Sequence, residues 1–173
     1  PLLARDIGFY LFKLPFIETL NGFAGITLVL TIIAVAANYF LRGGIFIAEK
    51  IISIDSKVKK HIGILAGLVI LNIGFGFYLD TFRLLFSEHG AVFGAGYTDI
   101  NAKLFFYRIL MFITPLAGII FMAGIVRGSR RLTFLPPVLV SAVYIIGIVA
   151  YPYVLHKFKV APNELVLETP YIE

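Results

Sequence analysis

Cysteine is absent from all 173 residues, which excludes disulfides and thiolate metal sites. Charge is the second scarcity. Only 14% of residues are Asp, Glu, Lys or Arg, against roughly 25% in a soluble domain, so the chain lacks the polar surface needed to face water. Apolar residues fill the place of the missing polar ones: 60% are hydrophobic and mean hydropathy is +0.94. That balance belongs to an integral membrane protein, and the open quantity is the number of spans. A net charge of +5 would point a soluble protein toward nucleic acid. Here the cations sit in short loops between apolar runs, where they orient spans, so no nucleic-acid partner is expected. The chain opens at Pro1 without Met or a basic-then-apolar signal and stops at Glu173; it is expected to be a piece of a longer protein.

Residues 1–18 carry an apolar patch from Ile7 to Ile17, interrupted by Lys13 and Pro15. About eleven residues cannot cross ~30 Å of hydrocarbon, so an interfacial or re-entrant segment is expected, broken at Pro15. Residues 19–41 are uncharged over 23 positions, about 35 Å of helix, and form the first span, with Tyr39, Phe40 and Arg42 at its end. In the loop 42–61, Ile45, Ala48 and Ile52 share one helical face and Glu49, Lys50, Ser53 and Lys57 the other. That spacing predicts a short interfacial helix before the basic run Lys57, Lys59, Lys60. Residues 62–79 are the second span, where Gly63 and Gly67, then Gly74 and Gly76, leave one side smooth enough for close packing. Helical character running on through Phe86 would bring Asp80 and Arg83 together at i,i+3.

Residues 80–103 form a polar loop whose 88–101 part is expected to fold back as a cap on the helix ends. Residues 104–126 are the third span, with Arg108 one turn inside and Pro115 near the middle, where a kink is expected. The turn 127–131, RGSRR, is too short to let the fourth span, 132–155, lie anywhere but antiparallel beside the third. Residues 156–173 are polar and read as the start of an extracytoplasmic domain. The predicted fold is therefore all-α integral membrane, four transmembrane helices with one or two interfacial helices. Loops 42–61 and 127–131 hold eight Lys or Arg against Glu49 and Asp55, which places them in the cytoplasm and both termini outside it.

Chemistry-bearing residues are few. Glu88, His89 and Asp99 could furnish metal ligands, but adjacent residues diverge on a helix and no further His is near, so a polar loop is the better reading. Gly90, Gly94 and Gly96 follow no strand and precede no Lys-Ser/Thr, so they permit turns rather than cradle phosphate. No catalytic, cofactor-binding or metal-binding residue is assigned, and no cofactor is expected. The one assignment is a structural ion pair: Arg108 needs a partner at its depth, and Asp99 or Asp80 is expected to supply it. Asn21, Asn38, Asn72, Thr27, Thr31, Thr114 and Ser141 are read as groups bonding between or within spans rather than as a transport route.

The run FGAGYTDINAKL at 93–104, preceded by YLDTFRLLFSEHG at 78–90, resembles uncharacterised protein family 0182, large bacterial multi-pass membrane proteins. ARDIGFYLF at 4–12 and PNEL…PYIE at 162–173 extend the resemblance across nearly the whole chain. The resemblance implies the later part of an N-terminal membrane region in the bacterial cytoplasmic membrane, followed by a large domain outside the cytoplasm, and it implies no activity. The expected function is a membrane anchor and assembly platform, its partners the lipid bilayer and other membrane helices or subunits. The alternatives are a transporter or channel component and an enzyme acting on lipid or envelope material at the outer surface. The orientation is testable because the chain has no native thiol. A cysteine at Ala95 should react with an impermeant reagent outside intact cells and one at Ser129 should not; the opposite pattern inverts the topology.

Overall fold

In hydrocarbon a long uncharged run has one stable conformation, the helix, because it alone satisfies every N–H and C=O within the segment. The computed structural model describes residues 6–48, 51–86, 88–89, 92–93, 95–163 and 167, by backbone alone at 46–48, 51–53, 88–89 and 92–93. Four helices in it are long and apolar enough to cross a membrane: Phe9–Leu41, Ser56–Phe86, Asp99–Arg127 and Arg130–Asn163. All are longer than the uncharged runs alone imply.

The first helix shows why. A wide π turn at Phe9–Lys13 runs straight into α1 (Leu14–Leu41), so the segment expected to be separate is continuous with the span. Pro15 does not break it. The Leu14 N–H, just ahead of the proline, bonds the Phe9 carbonyl five residues back. The same device recurs in the last helix. Beyond α4 (Arg130–Tyr144), Tyr151 N–H bonds Ile146 O immediately before Pro152, and Ala161 N–H bonds His156 O immediately before Pro162. Proline cannot donate to the carbonyl four residues back and its ring crowds it, so the preceding turn widens and the helix survives. Residues 156–163, expected outside the bundle, therefore continue the fourth helix.

The interfacial helix expected between the first two spans is instead a β-hairpin. Gly43, at φ 73°, ends the helix. Strands β1 (Ile45–Ala48) and β2 (Ile51–Ile54) pair antiparallel with Ile45 opposite Ile54 and Ile47 opposite Ile52. Helical spacing of Ile45, Ala48 and Ile52 was the misleading signal. β-branched residues at 45, 47, 51, 52 and 54 lie on both sides of the turn and favour strand pairing. Asp55 N–H closes the hairpin on Gly44 O at 3.1 Å, and the Asp55 carboxylate caps α2 (Ser56–Arg83) by accepting from Lys57 N–H at 3.0 Å.

Residues 80–103 divide likewise. The second helix runs on to Phe86, and a short hairpin pairs β3 (Glu88–His89) with β4 (Val92–Phe93). Helix resumes at Tyr97 through a wide turn, Asp99–Lys103, into α3 (Leu104–Arg127). Gly96, Thr98 and Asp99 are buried, while Gly90 and Gly94 lie outside the described residues.

Contacts between helices fix an up-down-up-down order. Glu18 meets Arg83, Asn21 meets Asn72 and Tyr39 meets His61, so α1 and α2 run antiparallel. α2 meets α3 on three of the four glycines expected on one smooth side: a side chain at Gly63 would lie 2.6 Å from Ile125 and one at Gly74 2.6 Å from the Pro115 ring, with Gly67 against Met122 between them, whereas Gly76 faces Asn21 of α1. The α3–α4 turn is closed by Gly128 at φ 70°, with Ser129 N–H on Gly124 O at 2.9 Å and Gly128 N–H on Ile125 O at 3.3 Å, a left-handed cap. A β-carbon at Gly124 would lie 2.7 Å from the backbone of Leu132 and Thr133. Phe77, Tyr107 and Tyr144 then join α2, α3 and α4 in one aromatic cluster.

Glycines in close contact should behave differently from free ones. Gly124→Ala and Gly74→Ala should each destabilise by about 1–3 kcal/mol, because backbone or a proline ring cannot yield. Gly22→Ala, with nothing within 4 Å of its β-carbon, should be neutral or gain up to about 1 kcal/mol of helix propensity. Unfolding of the detergent-solubilised protein measures all three.

Candidate functional site

Ionisable side chains gather where α1 begins, α2 ends, α3 begins and the fourth helix finishes. Glu18, in the second turn of α1, faces the last turn of α2 because the two helices are antiparallel and in register at Asn21–Asn72. Arg83 Nε lies 3.0 Å from Glu18 Oε1, and Arg83 Nη1 lies 3.6 Å from Asp80 Oδ1, the i,i+3 pair legible in sequence. The Arg83 side chain is 62% exposed. Glu18 and Arg83 border an open cleft of about 520 Å³ whose walls include Tyr10, Leu14 and Phe86. Leu14, one of those walls, also packs with Leu79 and Phe82 in a buried apolar cluster, with Phe9 and Tyr78 against it.

A second group stands at the start of α3. Asp99 is fully buried, its Oδ1 2.8 Å from Lys103 Nζ and its Oδ2 accepting from Gly96 N–H at 3.4 Å. Lys159, at the end of the fourth helix, donates to the Tyr97 hydroxyl at 2.8 Å and lies 5.2 Å from the centre of that ring. The chain ahead of α3 is thereby tied both to its own first turn and to the fourth helix.

Arg108 is not brought to either expected partner. It is exposed, and no ion pair to it occurs among the described residues; Asp99 and Asp80 are engaged by Lys103 and Arg83 instead. Helix geometry accounts for the difference. With helix running from Tyr97, nine residues are about two and a half turns, which puts Asp99 and Arg108 on opposite faces, whereas Lys103 at i+4 shares Asp99's face. The i,i+4 spacing was available in the sequence. Glu18–Arg83 and Tyr97–Lys159 were not, since their partners are 65 and 62 residues apart. The side chains of Glu88 and His89, the other members of the candidate metal group, lie outside the described ones.

Chemically, the cluster holds paired carboxylates and cations beside buried apolar side chains. It joins helix ends, and among the described residues no three His, Cys, Asp or Glu converge.

Comparison with known proteins places this arrangement. The pattern of the Uncharacterised protein family (UPF0182) matches residues 1–173. A UPF0182 protein of Geotalea uraniireducens is 54% identical over 173 residues, covering 100% of this chain and 19% of that protein. A UPF0182 protein of Geobacter sulfurreducens is 51% identical over 172 residues, 99% of this chain and 19% of its own length. A more distant one, from Thermobifida fusca, is 34% identical over 170 residues, 97% of this chain and 16% of its own. The chain thus spans about a fifth of the length of the curated relatives it matches (19% in the first two). No solved structure matches it.

Lys103 and Arg108 separate the two readings of the cluster. A double-mutant cycle of Asp99→Ala with Lys103→Met should show coupling above about 1 kcal/mol, as a buried carboxylate left without its cation requires. The cycle of Asp99→Ala with Arg108→Ala should be additive within about 0.5 kcal/mol.

Proposed function

The chain belongs to the uncharacterised protein family UPF0182, and from that premise we propose that it is a membrane anchor and assembly platform for the rest of a much larger protein. One observation carries the reading: most polar groups within the spans are spent on holding helices together or on their own backbone, Thr114, whose buried Oγ1 has no hydrogen-bond partner among the described residues, being an exception. Asn72 Nδ2 donates to Asn21 Oδ1 at 2.6 Å and to Asn21 O at 3.1 Å, joining α1 and α2. Thr27, Thr31 and Ser141 donate to the carbonyl four residues back, at 2.8, 2.7 and 2.9 Å. Interhelical bonds of this kind contribute about 0.6–2 kcal/mol each in lipid. A transport route needs ionisable or free polar groups deep in the bilayer; here the paired charges collect toward one end of the bundle, on the side of Glu18 and Asp99.

Cations dominate the opposite end, so positive-inside bias favours that end in the cytoplasm and the Glu18–Arg83 end outside, in a bacterial cytoplasmic membrane. The large remainder of the protein would then be presented from the outer end, beyond the fourth helix. The test uses the full-length protein in native membranes. Alkaline carbonate should leave it in the pellet, and limited proteolysis after Asn163 should release a water-soluble fragment while the spans stay behind. Release of the intact chain by carbonate removes the anchor reading. Labelling of Asn72→Cys and Thr114→Cys by a water-borne thiol reagent would favour the transporter instead.

A further inference from the structure

Cations outnumber carboxylates at the end of the bundle away from the Glu18–Arg83 cluster. Arg42 closes α1, Lys57, Lys59 and Lys60 stand in the first turns of α2, and Arg127, Arg130 and Arg131 surround the α3–α4 turn; all are exposed. None has an ion pair among the described residues. The pairs found there, Arg83 with Glu18 and Asp80 and Lys103 with Asp99, all lie at the other end. Asp55, the described carboxylate nearest these cations in sequence, is spent on the Lys57 N–H at 3.0 Å. Segments far apart in sequence reach this one face because Gly63 packs on Ile125, Gly124 packs on the Leu132–Thr133 backbone, and the Tyr39 hydroxyl meets His61 Nδ1 at 3.1 Å.

We propose that this face is a docking surface for anionic phospholipid headgroups. Depth argues for lipid over a soluble acidic partner. Arg42 directly follows Leu41, Arg127 follows Val126, Arg131 precedes Leu132 and Lys60 stands two residues before Ile62, so the cations lie where the apolar runs end. Headgroup phosphates occupy that level of a bilayer already. Exposed cations that outnumber their carboxylates and form no ion pair among the described residues repel one another, and phosphodiester charges at the same depth offset that repulsion while holding the hairpin side of the bundle at the interface. The inference rests on the reading of these helices as membrane spans but not on the anchor role, and a failure of the former would show separately as extraction by carbonate.

The test is retention of phosphatidylglycerol against phosphatidylcholine of identical chains by the detergent-purified full-length protein, read by native mass spectrometry. Phosphatidylglycerol should be preferred at least tenfold. Replacing Lys57, Lys59 and Lys60 by Gln together, or Arg127, Arg130 and Arg131 by Gln together, should each reduce that preference by tenfold or more. The expected scale is roughly fivefold per cation, equivalent to about 1 kcal/mol each near an anionic surface. Lys57, Lys59 and Lys60 changed together to Arg should keep the preference, as should Lys157→Gln at the other end. Should the Gln variants fail to fold, the wild-type preference must still fall as ionic strength rises. Equal retention of both lipids, a salt-independent preference, or a loss in Lys157→Gln equal to that of the triple variants overturns the proposal. Displacement of the lipid by millimolar inorganic phosphate, or tighter binding of an acidic peptide or of RNA, overturns the choice of partner.

Discussion

Apolar helices in hydrocarbon gain little from burying leucine against leucine, since lipid tails are as apolar as the side chains they would replace. Close approach has to come from missing side chains, and α2 meets α3 along Gly63, Gly67 and Gly74 with Ile125, Met122 and Pro115 filling the space. Gly118 returns the contact, its absent β-carbon 3.3 Å from Gly67 O. Much of the remaining arrangement depends on that seam. It sets which turn of α2 lies beside which turn of α3, and through the tight α3–α4 turn it sets the fourth helix as well. Basic groups of two distant loops share one face as a result, and Lys159 reaches Tyr97 at the other.

Proline shapes the helices without ending them. Ahead of Pro15, Pro152 and Pro162 the preceding turn opens so that a donor reaches five residues back. One of these widened turns contains Gly147, and its bare face receives the Phe106 ring of α3. Pro115, inside α3, meets Gly74, so a residue that removes a backbone bond also provides a flat surface against which α2 can press. At Gly147 and Pro115, packing uses the backbone irregularity.

Charge divides the bundle into two unlike ends. At one, the carboxylates Glu18, Asp80 and Asp99 are paired with Arg83 and Lys103, and Asp99 is fully enclosed; at the other, exposed cations stand without ion pairs among the described residues. The pairs tie α1 to the end of α2 and Asp99 to the first turn of α3. Unmatched cations suit a face that meets phosphate.

Four spans and their approximate positions follow from uncharged run length, because no other conformation of such runs survives in hydrocarbon. The smooth face of α2 was legible for a similar reason: glycines at 63, 67 and 74 repeat near the helical period and define one side whatever the neighbour. Local signals failed where two periods competed, as in 45–54, where helical spacing and β-branched composition pointed apart and cross-strand pairing won. They failed again at Asp99, where a loop was read and helix had already begun, so Arg108 fell on the wrong face and Lys103 on the right one. Contacts such as Glu18–Arg83 and Asn21–Asn72 were beyond sequence reading of any kind. A lone helix has no preferred rotation or height against its neighbour; only the packed seam sets that register, and with it the partner each polar group finds.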